Sequence, residues 1–286
     1  MNFTTENYKP DTMKTIIVIN DGSVSAAHAS KQAFAIAQAV QANILVANTY
    51  KVNAMAKVMA GHHIEQSLLI AREPIVRLLN ELSHDAAAYQ PEISAEDIVD
   101  FDTTQLAAMI IKKNIWLMVS GSGTTLQEGS RQHLLNLQSV LNKVQCPLLI
   151  VPERWTLKNI QHITYMADLR YCRAAVVKYL VQLAEPMQAS VSVAHLSAKG
   201  IPDIEESYGQ RMFTEQVGNH IHSYPVGFNN IREKDISKAV DVIINGMHND
   251  VLVLVNHRYH FKEIIGDYLT EALPGHITIP LLIFPY

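Results

Sequence analysis

The chain has 286 residues, 48% of them hydrophobic and 17% charged, with a formal net charge of −4. That length suggests about two domains, each large enough to bury a core of its own. The acidic balance argues against a sequence-independent nucleic-acid binder, which needs a basic face to displace counterions, although a local basic patch stays open.

Residues Met1 to Met13 are polar and lack the apolar core of a signal peptide. Lys14 to Asn20 is a nearly continuous apolar run, the pattern of a strand covered on both faces. Asp21-Gly22-Ser23 turns the chain, with Ser23 placed to cap an Ala-rich helix over Ala26 to Val40. A strand at Asn43 to Asn48 follows, then a long helix over Ile64 to Gln90 with leucines and isoleucines on one face. Ile93 to Phe101 carries weaker strand signals, and Thr103 to Lys112 reads as a short helix. Ile115 to Val119 is a strand, Ser120 to Gly129 a loop, Gln132 to Val144 a helix, and Pro147 to Val151 the closing strand.

The same order then repeats. Strands are predicted at Ile160–Ala167, Ala189–His195, Val226–Ile231, Val251–Val255 and Pro280–Phe284. Helices are predicted at Arg170–Leu183, Ile204–Ser223, Ile236–Met247 and Glu263–Leu273. Each half opens on an apolar strand that ends in an aspartate, Asp21 or Asp168, and closes on a Pro-led apolar strand. A repeat this long is a duplicated domain, since solenoid units run to roughly 20–50 residues. The expected division is 1–152, a linker at 153–159, and 160–286. Alternating strands and helices with right-handed crossovers give an α/β fold of two tandem doubly wound domains. Each is a five-stranded, mostly parallel sheet with helices on both faces. Ligands of such sheets bind past the carboxyl ends of strands where the strand order reverses, so the turn after the first strand and the loop after the fourth are the places for a site.

In the first half, Ile17-Val18-Ile19-Asn20-Asp21-Gly22-Ser23, the strand Ile44-Leu45-Val46-Ala47, and the pairing of Leu117 to Gly123 with Gln145 to Val151 resemble a universal stress protein (UspA-like) domain. The second half is similar over Ile163 to Asp168, Val251 to Asn256 and Ile279 to Phe284. The resemblance implies a soluble stress-response protein in tandem form, with one subgroup of the family binding ATP; the lack of a signal peptide or membrane span makes the cytoplasm the expected location. It assigns adenine to Asp21 and the backbone at Val46, and phosphates to a glycine loop after the fourth strand. Glycines there let backbone N–H groups approach the anion near a helix N-terminus. Gly121, Ser122, Gly123 and Thr124 occupy that loop, but Thr124 stands where the second glycine is expected, and Leu134-Leu135 stand where the family has Gly-Ser. Gly129-Ser130 could substitute only in a shifted register. In the second half Asp168 matches the adenine aspartate, while Asn256 to Lys262 replaces the glycines and Asp267 would repel phosphate. Arg258 and Lys262 could pair with an anion or simply form a solvated loop face.

The resemblance also implies pairing through the last strands, which run antiparallel across a dimer axis; here Pro147 and Pro280 would start them within one molecule. Further homodimerisation would use another surface, for which the Ile64–Gln90 helix is a candidate.

Other chemistry finds less support. His62-His63, His220/His222 and His257/His260 are the close histidine pairs; all read as surface residues, and no metal site is expected. Ser23, Ser120 and Ser122 lack an evident base, Glu96, Asp97 and Asp100 read as loop or strand-edge charges, and no catalytic residues are assigned. Cys146, before a strand, and Cys172, in the first turn of a helix, read as small apolar filler. No window approaches the roughly 18 apolar residues of a membrane span. The leading expectation is a protein that binds an adenine nucleotide in its first half. A nucleotide-independent interaction module and a weak ATPase are the alternatives.

Overall fold

The computed structural model describes residues 13–50, 74–83, 89–100, 102–123, 135–221, 224–270 and 272–286. The first half runs β1 (Thr15–Asn20), α1 (Val24–Val40), β2 (Asn43–Tyr50), helical residues 74–82 (α2), β3 (Ile93–Val99), α3 (Thr103–Lys112), β4 (Leu117–Ser122), α4 (Leu137–Leu141) and β5 (Leu148–Pro152). The second runs β6 (His162–Ala167), α5 (Ala174–Ala184), β7 (Ser190–His195), α6 (Glu206–Gln216), β8 (Val226–Asn230), α7 (Ile236–Asp241), β9 (Val251–Val255), α8 (Tyr259–Ile264) and β10 (Leu281–Phe284).

All ten strands join in one sheet, in the order β3-β2-β1-β4-β5-β10-β9-β6-β7-β8. Every neighbouring pair is parallel except β5 and β10, which run antiparallel with Leu282 opposite Leu149. Every residue of both strands is buried. Left as edges they would present unpaired N–H and C=O groups on an apolar ribbon, and pairing them removes both liabilities at once. The duplicated sequence thus builds a pseudo-dimer within one chain. Side chains extend the join. Trp116 stacks on Tyr179 at 4.8 Å between ring centres, and the Tyr179 hydroxyl donates to the Trp116 carbonyl at 2.9 Å. The buried Asn256 amide accepts from Gln138 at 3.1 Å and donates to Asn142 at 3.2 Å. A further buried residue, Asp250, fixes the start of β6. It accepts from the Gln161 and His162 N–H groups at 2.7 and 2.9 Å and pairs with Lys158 at 2.6 Å.

Several helices differ from their sequence expectation, each for a local reason. The Arg170–Leu183 helix is split. The Asp168 side chain caps a 3-10 turn at Leu169–Tyr171, and extended backbone at Cys172 and Arg173 delays α5 to Ala174, so Cys172 lies between the two. The Glu263–Leu273 helix instead begins at Tyr259 inside the expected loop, and it stops where Gly266 takes φ +104°, a conformation that favours glycine. The Ile236–Met247 helix changes to a π turn at Val242–Gly246, and Ile204–Ser223 shortens to α6 followed by a 3-10 turn at Gly218–His220. Within Gln132–Val144 the described helix is α4, capped by Asn136, whose side chain accepts from the Ser139 N–H. Of the Ile64–Gln90 helix, offered as a dimer surface, most lies outside the described residues. Among the described residues no helix is long and apolar enough to cross a membrane.

Candidate functional site

Strand order reverses between β1 and β4 in the first half and between β6 and β9 in the second. Crossovers leave such a point on opposite faces, so the carboxyl ends of the two strands part into a crevice. A cavity sits at each.

The first-half cavity has a volume of about 550 Å³. Asp21, Thr49, Ser120, Gly121 and Leu135 line one side, and Leu269, Thr270 and Ala272 of the second half form part of the other. Two bonds hold that second-half segment in place: Leu269 N–H donates to Gln138 Oε1 and Leu273 N–H to Ser122 Oγ, both at 3.1 Å. The turn entering α1 is built from side chains. Asn20 Oδ1 accepts from the Gly22 N–H and Asp21 Oδ1 from the Ser23 N–H, each at 2.9 Å, and Ser23 Oγ accepts from the Ala26 N–H at 3.1 Å. Behind the turn a polar chain crosses three strand ends: the Asn20 amide donates to Asn48 at 2.8 Å, and the Asn48 amide donates to Asp97 at 3.3 Å. These residues are in register, so polar ends on three apolar strands were the sequence signal for them.

The expected site residues meet different fates. Asp21 is exposed and lines the cavity. Val46 is fully buried between Val18 and Ala95 and does not; β2 reaches the cavity through Thr49 instead. Gly121 lines it, but a Cβ there would lie 2.2 Å from the Ser25 carbonyl oxygen, so the packing of β4 against α1 by itself demands glycine. Ser122 is buried and bonded to the second half, and Gly123 faces the Glu153 carboxylate. Thr124, Gly129, Ser130 and Leu134 lie outside the described residues, while Leu135 is buried in the cavity wall. Among the described residues of this lining Asp21 is the ionisable side chain, and none is a lysine, arginine or histidine.

The second-half cavity is smaller, about 200 Å³. Asp168 borders it, almost fully buried, but its oxygens are engaged: Arg170 Nε and Nη2 donate at 2.7 and 2.6 Å, and the Arg170 and Ala198 N–H groups at 3.1 and 3.3 Å. Burial works against the carboxylate, yet these donors outweigh it and hold the carboxyl below its ordinary range. Arg258 is not a solvated loop residue. Its guanidinium lies 4.8 Å from the centre of the Tyr286 ring and 5.6 Å from that of Tyr171, and its buried Nε has no hydrogen-bond partner among the described residues.

The histidines also depart from expectation. His260 is buried rather than superficial, and so is His195, which belongs to none of the expected pairs. His260 Nε2 donates to the Leu196 carbonyl at 2.9 Å, whereas His257 is exposed and bonds Asn142, so the pair does not converge. His62, His63 and His222 lie outside the described residues. Among the described residues no group of three His, Cys, Asp or Glu side chains could hold a metal ion. Burial lowers the His260 pKa to about 4, and that of His195 falls for the same reason. A folded-state pKa below the unfolded one gives stability that is complete above the unfolded pKa and lost as pH falls towards the folded value. Acidification from about pH 6.5 to 4 is therefore expected to remove roughly 3 kcal/mol through His260 alone. Urea midpoints across that range check this. His260→Gln keeps a donor for Leu196 without titrating and should flatten the profile; an unchanged slope would refute the assignment.

No protein-family model and no curated protein sequence matches the chain. Solved structures do. A universal stress protein from Archaeoglobus fulgidus DSM 4304 superposes with a TM-score of 0.62 at 11% identity, covering 94% of this chain and 97% of that one. A functionally unknown protein from Pseudomonas aeruginosa PAO1 gives 0.55 at 13% identity, covering 95% and 92%. Both likenesses run the length of each chain, so the tandem arrangement is shared and not one half alone.

Proposed function

We propose that this chain, which has the tandem two-domain fold of the universal stress proteins, acts by binding and not by turnover, and takes an adenine nucleotide such as ATP in its first half. The observation that carries this is the cavity of about 550 Å³ at the β1/β4 reversal, within the roughly 300–1,000 Å³ typical of small-ligand sites. Asp21 lines it as an acceptor for an exocyclic amine, and Ser120 and Gly121 lie on the neighbouring strand β4. Leu135 in the wall and the lack of a cation among the described lining residues favour the adenosine portion there, with phosphates directed towards Gly123. Asp168, tied to Arg170, is not part of this reading. The same Leu135 favours the second reading, a nucleotide-independent interaction module, should phosphate find no partner.

Calorimetric titration of the whole chain with ATP and Mg²⁺ tests the proposal. A saturable heat is expected, weakened at least roughly tenfold by Asp21→Arg, which replaces the acceptor with a bulky cation. A flat trace with ATP, ADP and AMP would leave the interaction module. Phosphate release proportional to protein would support a weak ATPase instead.

A further inference from the structure

We infer that the second-half crevice is a separate binding site for a small organic carboxylate, with Arg258 as its recognition group. Three observations converge on one cavity. It lies at the β6/β9 reversal, so strand topology opens it independently of any side chain. Its volume of about 200 Å³ suits a ligand of about benzoate size, since a cavity of roughly 150 Å³ accepts a benzene ring. Its wall includes the half-buried Arg258, whose Nε, closed off behind the exposed part of the guanidinium, has no hydrogen-bond partner among the described residues. A buried donor without an acceptor is destabilising, and an arginine edge offers two parallel N–H groups that match the two oxygens of a carboxylate.

Among the described residues no side-chain carboxylate pairs with that cation. The neighbouring carboxylate, Asp168, is already bound by Arg170 at 2.6 Å. Burial raises the Tyr165 pKa, which keeps its phenol neutral, and His260 is neutral above about pH 4. Tyr171 and Tyr286 place rings beside the guanidinium, fixing its plane and weakening its hydration. Met166, Ala167, Ala198 and Val255 supply an apolar bed, which favours a carboxylate with a hydrocarbon body over a fully hydrated phosphate.

The test is calorimetry on the full chain with benzoate, benzamide and inorganic phosphate. Benzoate should saturate one site at millimolar concentration or below, and benzamide, of the same size without the charge, should bind at least roughly tenfold more weakly. Arg258→Lys keeps the charge but loses the paired N–H edge, so benzoate affinity should fall at least roughly tenfold with little change in Tm. Asp21→Arg, in the other half, should leave benzoate affinity unchanged, which separates this site from the nucleotide reading. Absence of benzoate binding, equal affinity for benzamide, phosphate binding as tight as benzoate, or displacement of benzoate by ATP would each overturn the proposal. The ligand comparison stands on the unaltered protein, so it holds even if Arg258→Lys folds poorly.

Discussion

Gly121→Ala is expected to destabilise the protein by at least about 3 kcal/mol, whatever ligand is present. The added Cβ would lie 2.2 Å from the Ser25 carbonyl oxygen, 2.3 Å from its carbon and 2.8 Å from the Ala26 nitrogen. These are backbone atoms at the start of α1, and that helix is anchored by the Ser23 cap and packed on β1, β4 and β5. No rotamer change relieves the overlap; α1 must move away from the sheet. The neighbouring Gly123 is the control. Its nearest atoms would be the Glu153 carboxylate at 3.5 Å and the Ser25 hydroxyl at 3.8 Å, ordinary contact distances. Thermal unfolding should show Gly121→Ala lowered by on the order of 10 °C and Gly123→Ala nearly unchanged. Equal values would refute the packing account. Gly121 is therefore a poor probe of nucleotide binding, because losing it damages the fold first; Asp21, exposed and accepting from the Ser23 N–H of its own turn, is a cleaner one.

Arg170→Met is expected to cost about 3 kcal/mol at neutral pH, because it leaves the buried Asp168 carboxylate without its ion-pair partner. Asp168 has a depressed pKa in the folded state. Its pairing thus stabilises above the ordinary carboxylate pKa and is lost as pH falls through the folded value. The gap between wild type and Arg170→Met should accordingly narrow on acidification towards pH about 3, where the variant's carboxyl is neutral. Asp168→Asn combined with Arg170→Met should recover part of the loss, since a neutral amide is less costly to bury. Denaturant titrations of wild type and the two variants at pH 7 and near pH 3.5 would settle it; a pH-independent gap would exclude the ion pair as the cause.

The sequence carried the central strands because β1, β4, β5, β9 and β10 are apolar runs covered on both faces, whereas β3 and β8 are more polar and half-exposed. β1, β9 and β10 fall within a residue or two of where the composition places them. It was weaker on the helices of the second half. Arg170 to Arg173 looks helical by composition, yet the Asp168 side chain competes for the first N–H groups and winds a separate turn. The same competition removed Asp168 from the list of free acceptors, which spacing cannot reveal: the partner is two residues away, but its commitment depends on burial. His260 was misread as superficial for a related reason. A polar residue in a short segment gives no periodicity to reveal burial, and its partner, Leu196, is 64 residues distant.

The sequence by itself determined that the chain is a duplicated α/β unit with two like strand-ending aspartates and two like closing strands, since hydrophobic period and turn chemistry are local properties. Only the tertiary structure decided what each copy does with them. Antiparallel pairing of β5 with β10 brings Leu269, Thr270 and Ala272 to the first-half cavity, so one half helps to build the other's crevice. In the first half Asp21 stays open to that cavity; in the second Asp168 is closed by Arg170, and the Nε of neighbouring Arg258 has no partner among the described residues. Those differences arise from which side chains burial forces into contact, and contact between residues far apart in the chain is not written in any local pattern.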